Sequence, residues 1–220
     1  MKVLLLAAGR GERMRPLTDD HPKPLLEVRG QALIVHHLLR LAAAGFTDVM
    51  VNLSWKGEQI RAALGDGAAF GVDIVYSDEG PEPLETAGAI VHAFHWLGGA
   101  PFVVVNADIW CDFPFGRLTL LEGMLAHLFL VPNPEHNAAG DFVLEQGAVN
   151  NPSSTQKGTA TFSGIGVYAP VLFAELEHGK RALAPVLREA CSRGLVSGEL
   201  YEGIWQDVGT PARLEALRQE

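Results

Sequence analysis

Four residues near the start of the chain have the types and spacing to hold an anion. Gly9, Gly11, Arg13 and Lys23 lie within "LLLAAGRGERMRPLTDDHPKPL", where an apolar run breaks into a loop carrying three prolines. Backbone N–H groups from Gly9 to Arg13 can form a concave anion nest, and Arg13 and Lys23 add charge from the two ends of the loop. Two familiar glycine loops do not fit. A dinucleotide fingerprint needs a third glycine where Met14 stands. A P-loop runs straight into a helix, which Pro16, Pro22 and Pro24 oppose. The plainer reading, a solvated turn, leaves unexplained why so constrained a loop follows a strand this apolar. Further along, Asp108 lies just past the run "PFVVVN" and Asp207 follows "GIW". Two carboxylates from distant segments suit Mg²⁺, which keeps several waters and takes phosphate oxygens. Taken alone, an aspartate after a strand also reads as a turn or cap residue.

Composition bounds what such a loop serves. The 220 residues are 48% hydrophobic, enough for a full core and too many for disorder, and carry a net charge of −9. That balance argues against a nucleic-acid surface. Yet Lys2, Arg10, Arg13, Arg15 and Lys23 put five of the 17 basic residues in the first 23 positions. A locally positive mouth on an acidic chain suits a small anionic ligand. No run approaches the ~18 apolar residues of a membrane span, and "KVLLLAA" meets charge too soon for a signal peptide. Cys111 and Cys191 read as reduced thiols. The expectation is one cytoplasmic domain over 1–220.

The elements that position these residues alternate. "KVLLLAA", "DVMVNL", "DIVYS" and "PFVVVNADI" read as strands. "ALIVHHLLRLAAAG", "KGEQIRAALG" and "ETAGAIVHAFHWLGG" read as helices between them, with Thr86 a candidate N-cap of the last. The alternation predicts an α/β fold with a mostly parallel central sheet. After Asp112 the segments "LAHLFLVP", "GDFVLEQGAV" and "GTATFSGIGVYA" read as strands, "PVLFAELE" and "APVLREACSRG" as helices, and "GLVSGELYEGIWQDVG" as a hairpin. Thr210 and Pro211 open a last helix. "NNPSSTQKG" is the most loop-like stretch. His92 and His95 lie one helical turn apart without a third ligand in view, Cys111 lacks a basic partner, and Tyr201 and Trp205 read as hairpin packing.

"LAAGRGERMRPLTDDHPKPL" resembles the signature of the sugar-1-phosphate nucleotidylyltransferases, and the likeness runs on through "LETAGAI", "VVVNADIW", "TFSGIGVY" and "WQDVGT". The resemblance implies a three-layer Rossmann-like nucleotidyltransferase fold and a reaction joining a nucleoside triphosphate to a sugar 1-phosphate. It implies catalytic roles for Arg13, Lys23 and Asp108, and a Mg²⁺ ion on Asp108 and Asp207. Nucleotide contacts would come from Ala8, Gly9, Gly11, Glu12, Arg13, Lys23, Asn52, Glu79, Glu85 and Thr86, with Gly88 permitting close approach. Sugar contacts would come from Asn106, Ser163 and Gly164. "VNLSWKGEQI", "PLETAGAI" and "NPEHNAAGDF" are similar to a uridylyltransferase branch of cell-wall recycling, which implies UTP and N-acetylmuramic acid 1-phosphate. "ETAGAI" is also similar to mannose-1-phosphate guanylyltransferases, and a non-catalytic nucleotide-sugar sensor is the reading from another class. Ala107 replaces a glycine usual in the family, where it would narrow the pocket. Many relatives carry an E-K-P lysine before the "FSGIG"-like strand; here the nearest lysine is Lys157. The chain lacks the β-helix repeats that trimerise some relatives, which points to a monomer or homodimer.

Overall fold

The computed structural model describes residues 1–153 and 158–219. In chain order the first half contains β1 (Val3–Leu6), α1 (Leu17–Asp20), β2 (Glu27–Val28), β3 (Gln31–Ala32), α2 (Leu33–Ala43), β4 (Asp48–Leu53), α3 (Gly57–Leu64), β5 (Asp73–Asp78), α4 (Glu85–His92), α5 (Phe94–Leu97), β6 (Phe102–Asn106) and β7 (Ile109–Cys111). The second half contains β8 (Ala126–Val131), β9 (Phe142–Glu145), β10 (Ala148–Asn150), β11 (Thr159–Tyr168), α6 (Leu183–Ser192), β12 (Val196–Leu200), β13 (Trp205–Asp207) and α7 (Pro211–Gln219).

Nine strands form one sheet in the order β5-β4-β1-β6-β11-β8-β12-β10-β9. The pairings fix the strand directions: β1, β4, β5, β6, β8, β9 and β12 run one way, β10 and β11 the other. The sheet is thus mostly parallel in direction, as the βαβ rhythm requires. Continuous apolar strands feed two cores because successive side chains point to opposite faces. Val3, Leu5, Val49, Val51, Val103 and Val105 enter one core; Leu4, Met50, Phe102 and Val104 enter the other. Leu38 of α2 and Ile60 of α3 cover the first face, while Ile90 of α4 and Leu187 of α6 cover the second. This is a three-layer α/β architecture. Among the described residues no helix is long and apolar enough to cross a membrane.

Four local expectations are corrected. The segment read as a terminal hairpin is two strands that never pair: β12 lies parallel to β8, whereas β13 pairs with β7. The helix expected over "ETAGAIVHAFHWLGG" breaks at Ala93 into α4 and α5. Thr86 is the second residue of α4, not its N-cap, which is Leu84. "PVLFAELE" holds only a short 3-10 turn, Pro170–Phe173. At the last helix Thr210 does cap α7, its Oγ1 accepting from Arg213 N at 3.4 Å.

Candidate active site

The carboxyl ends of β1, β4, β5 and β6 share one edge of the sheet, where an open α/β fold leaves a crevice. Three connected recesses occupy it. The largest, about 740 Å³, lies between the Gly9–Met14 loop on one side and Pro81, Pro83 and Lys180 on the other. Through Gly9, Lys23, Pro83 and Asp108 it opens into one of about 290 Å³ lined by Ala8, Asn52, Glu79 and Thr86. Glu85, Thr86 and Asn106 then lead into a third, about 470 Å³, which reaches Gly164 and α6.

The opening loop is held by its own residues. Gly11 has φ +64, and a Cβ there would lie 3.0 Å from Thr18 Cγ2 and 3.2 Å from Lys23 Cβ. The position therefore demands glycine on both conformational and steric grounds. Thr18 Oγ1 and Met14 N both donate to the Gly11 carbonyl at 2.8 Å. Buried Met14 anchors the far end while Glu12 and Arg13 stay exposed on the recess wall. Arg10 stacks on Trp55, 4.7 Å from the ring centroid. Trp55 lies in "VNLSWKGEQI", but nothing in that stretch relates it to Arg10.

Lys23 is 6% exposed and stands between two carboxylates. Its Nζ lies 2.6 Å from Asp108 Oδ2 and 4.0 Å from Asp207 Oδ1. Asp207 reaches this point because β13 pairs with β7, setting Asp207 opposite Ile109, and Val208 N donates to the Asp108 carbonyl at 3.1 Å. Asp207 Oδ2 also meets Arg213 Nη1 at 2.7 Å and His136 Nε2 at 3.5 Å. No spacing in the sequence relates Arg213 or His136 to Asp207. Underneath, His37 Nε2 donates to the Ile109 carbonyl at 2.8 Å. Burial pushes that imidazole down to about 4 and keeps it neutral.

Several expected ligand contacts are occupied by the protein itself. Asn52 Oδ1 accepts from Ala7 N at 2.6 Å, and Asn52 Nδ2 donates to Glu79 Oε1 at 2.7 Å. Glu79 Oε2 accepts from Leu84 N at 2.7 Å. This chain of bonds shapes the small recess by tying the β5–α4 loop to the end of β1. Glu85, a non-glycine residue at φ +60, holds its carboxylate 3.9 Å from Lys180 Nζ. Gly88 lies outside all three recesses. A Cβ there would collide with the Gly179 carbonyl, so its bareness admits the protein's own backbone. Ala87 N and Gly88 N both donate to the Arg181 carbonyl, at 3.0 and 3.1 Å, and Arg181 N to the Leu84 carbonyl at 2.9 Å.

At the third recess, Asn106 and Gly164, both expected as sugar contacts, face one another. Gly164 has φ +83, and a Cβ would come within 2.6 Å of Asn106 Nδ2. It sits where β11 slips register against β8, between Phe162 and Ile165, a bulge at the rim of the cleft. Ser163 does not join them: it is 1% exposed, and its Oγ accepts from Ile165 N at 3.1 Å within the bulge. The Ala107 methyl enters the core and narrows no recess. Lys157 lies outside the described residues. Cys111 and Cys191 are buried and their thiols pushed up to about 11, so both stay protonated. His92 Nε2 is taken by the Asp78 carbonyl at 3.1 Å. No three-ligand cluster of His, Cys, Asp and Glu occurs among the described residues. Tyr201 donates to Asp112 Oδ1, and Trp205 Nε1 to the Ser163 carbonyl at 2.9 Å, which are packing roles.

A strand-edge crevice with a glycine loop, a buried lysine and two converging carboxylates has the form of a nucleotidyl-transfer site. The chain belongs to the nucleotidyl transferase family, whose profile matches residues 2–220. It is 51% identical to N-acetylmuramate alpha-1-phosphate uridylyltransferase of Neisseria meningitidis, over 98% of this chain and 96% of that enzyme. Mannose-1-phosphate guanyltransferase of Aspergillus fumigatus is 33% identical, over 96% of this chain and 61% of its own length. Among solved structures, a glucose-1-phosphate thymidylyltransferase from Bacillus anthracis superposes with a TM-score of 0.84 at 22% identity, over 100% of this chain and 94% of that one. That last likeness concerns the fold.

Proposed function

We propose that the protein transfers the uridylyl group of UTP to N-acetylmuramate α-1-phosphate, giving the UDP-sugar and pyrophosphate. The observation that carries the substrate pair is the 51% identity spanning both chains almost end to end. A place in cytoplasmic recycling of cell-wall sugars follows from that pair. The loop recess takes the triphosphate, with backbone N–H groups from Gly9 to Arg13 and the Arg13 guanidinium on its β- and γ-phosphates. The small recess beside Ala8 and the Asn52–Glu79 pair takes the nucleoside. The third recess takes the sugar, with Asn106 at its entrance.

The acceptor's phosphate oxygen attacks the α-phosphorus in line, and the bond to the bridging oxygen breaks on the opposite side as pyrophosphate leaves. The attacking oxygen is already anionic, so no general base is required. Catalysis is then positioning and charge stabilisation. Lys23 serves it from a fixed place: Pro22 and Pro24 restrict its backbone, and the surrounding carboxylates orient its ammonium. Asp108 and Asp207 already reach toward one cationic atom, so the same oxygen pair fits a hard divalent cation. Mg²⁺ held there would offset negative charge gathering on the phosphates.

Pyrophosphate release measured with four nucleoside triphosphates against the 1-phosphates of N-acetylmuramate, N-acetylglucosamine and mannose tests the assignment. The expected result is the highest kcat/KM for UTP with N-acetylmuramate 1-phosphate. A higher value for GTP with mannose 1-phosphate would overturn the pair and leave the reaction class standing.

A further inference from the structure

The third recess holds chemistry that the transfer step does not use. Its walls are largely apolar, from Phe142, Phe162, Leu183 and Leu187. The acids lining it are engaged: Asp141 Oδ1 accepts from Asn137 Nδ2 at 3.1 Å and Oδ2 from Phe162 N at 2.8 Å, while Glu85 faces Lys180. Thr86 and Asn106 add neutral polar groups at its entrance, and two further donors stand out. Tyr168 on β11 is completely buried and lines the recess, yet its hydroxyl has no hydrogen-bond partner. It lies over Gly166, where a Cβ would come within 2.6 Å of it. A buried hydroxyl left unpaired costs stability and calls for an explanation. Arg188, exposed on α6, is the one basic side chain lining the recess, and among the described residues no ion pair holds it. It follows Ala184 and Leu187 at i, i+4 and i, i+1 on α6, and Asn151 Nδ2 holds its carbonyl at 2.8 Å.

An apolar recess that offers a guanidinium without an ion pair and a buried hydroxyl without a partner, beside the neutral side chains of Thr86 and Asn106, suits an acceptor-rich anion. We propose that this recess is a subsite for a sugar bearing a carboxylate, with Arg188 pairing with that carboxylate and the Tyr168 hydroxyl donating to an uncharged acceptor on the same sugar. The inference rests on the acceptor proposed above: the lactyl ether of N-acetylmuramate carries the carboxylate that N-acetylglucosamine lacks. A guanidinium suits it because its fork matches a carboxylate bidentately.

The test measures wild type, Arg188→Met and Tyr168→Phe with UTP and either N-acetylmuramate 1-phosphate or N-acetylglucosamine 1-phosphate, alongside thermal unfolding. Arg188→Met should lower kcat/KM for the muramate substrate by ~10–100-fold, mainly through KM, and for the neutral sugar by less than about threefold. Tyr168→Phe removes an unpaired hydroxyl, so its melting temperature should hold or rise while KM for the muramate substrate increases. Equal losses on both sugars in Arg188→Met, or a lower melting temperature with unchanged KM in Tyr168→Phe, would overturn the subsite. If wild type turns over the muramate substrate no better than the neutral one, the acceptor assignment fails instead. Calorimetric binding of N-acetylmuramate 1-phosphate to wild type and Arg188→Met then decides the subsite, equal affinities overturning it.

Discussion

Lys23→Met separates two properties that the site joins in one side chain. Methionine keeps the length and apolar contacts of the stem and removes the charge. The ammonium is 2.6 Å from Asp108 Oδ2 and 4.0 Å from Asp207 Oδ1, which at an effective dielectric near 20 gives gross attractions of roughly 6 and 4 kcal/mol. The Asp108 side chain is 38% exposed, and burying the ammonium has its own desolvation cost. The net contribution is therefore on the order of 1–3 kcal/mol. Without the ammonium the two carboxylates repel, so the metal-free protein should lose about that much stability in denaturant titrations. A divalent cation no longer has to displace a lysine, and its affinity should rise roughly 5–150-fold for the same 1–3 kcal/mol. Turnover should nevertheless fall by about 100-fold or more, as when one transition-state donor is removed. Unfolding followed across a Mg²⁺ titration, together with kcat, reads both effects. A variant that binds Mg²⁺ no tighter than wild type would refute the picture of one shared charge centre. A loss confined to KM would mean that Lys23 binds substrate without favouring the transition state.

Asp108→Asn and Asp207→Asn should each slow turnover by roughly 10²–10⁴-fold at subsaturating Mg²⁺, with partial rescue by excess metal. Their combination should be well short of multiplicative, and independent multiplication in the double variant would refute a shared ion. Gly88→Ala forces a methyl against the Gly179 carbonyl, so it should cost about 1–3 kcal/mol, seen as a lower melting temperature; an unchanged one would contradict the packing. The buried His37 sets a pH limit. Its folded value near 4 lies below the 6.5 of the free imidazole, so the unfolded chain binds more protons between the two. Stability is complete above pH ~6.5 and falls as pH drops toward 4, by up to roughly 3 kcal/mol. Burial of His127 acts in the same direction. His37→Gln, which retains a donor for the Ile109 carbonyl, should flatten the difference between denaturant titrations at pH 7.5 and pH 5; an unaltered slope would refute the assignment to His37.

What could be read from the chain alone was whatever local dihedrals and periodicity encode. The apolar run of β1, the glycine loop held open by its prolines, the βαβ rhythm and the Thr210–Pro211 helix start all depend on neighbours within a few residues. The motif around Arg13 and Lys23 was legible for the same reason. Polar side chains were harder, because a residue type does not say which of its atoms are already bonded. Asn52 and Glu79 carry suitable chemistry for a nucleotide, yet their oxygens already accept from Ala7 N, Asn52 Nδ2 and Leu84 N. Gly88 permits a close approach, but by the Gly179 carbonyl, and Ser163 serves its own bulge.

Tertiary structure alone decided the charge centre and the third recess. A hairpin and a pair of unrelated strands look alike in "GLVSGELYEGIWQDVG" until packing chooses partners, and only the β13–β7 ladder brings Asp207 to Asp108 and Lys23. Arg213 and His136 reach Asp207, and Lys180 and Arg188 reach the recesses, from elements whose spacing relates them to nothing there. Sequence determined the elements and the loop because backbone preferences act locally. The fold decided the neighbours because burial of two sheet faces is satisfied only by the whole chain, and distant side chains meet as its consequence.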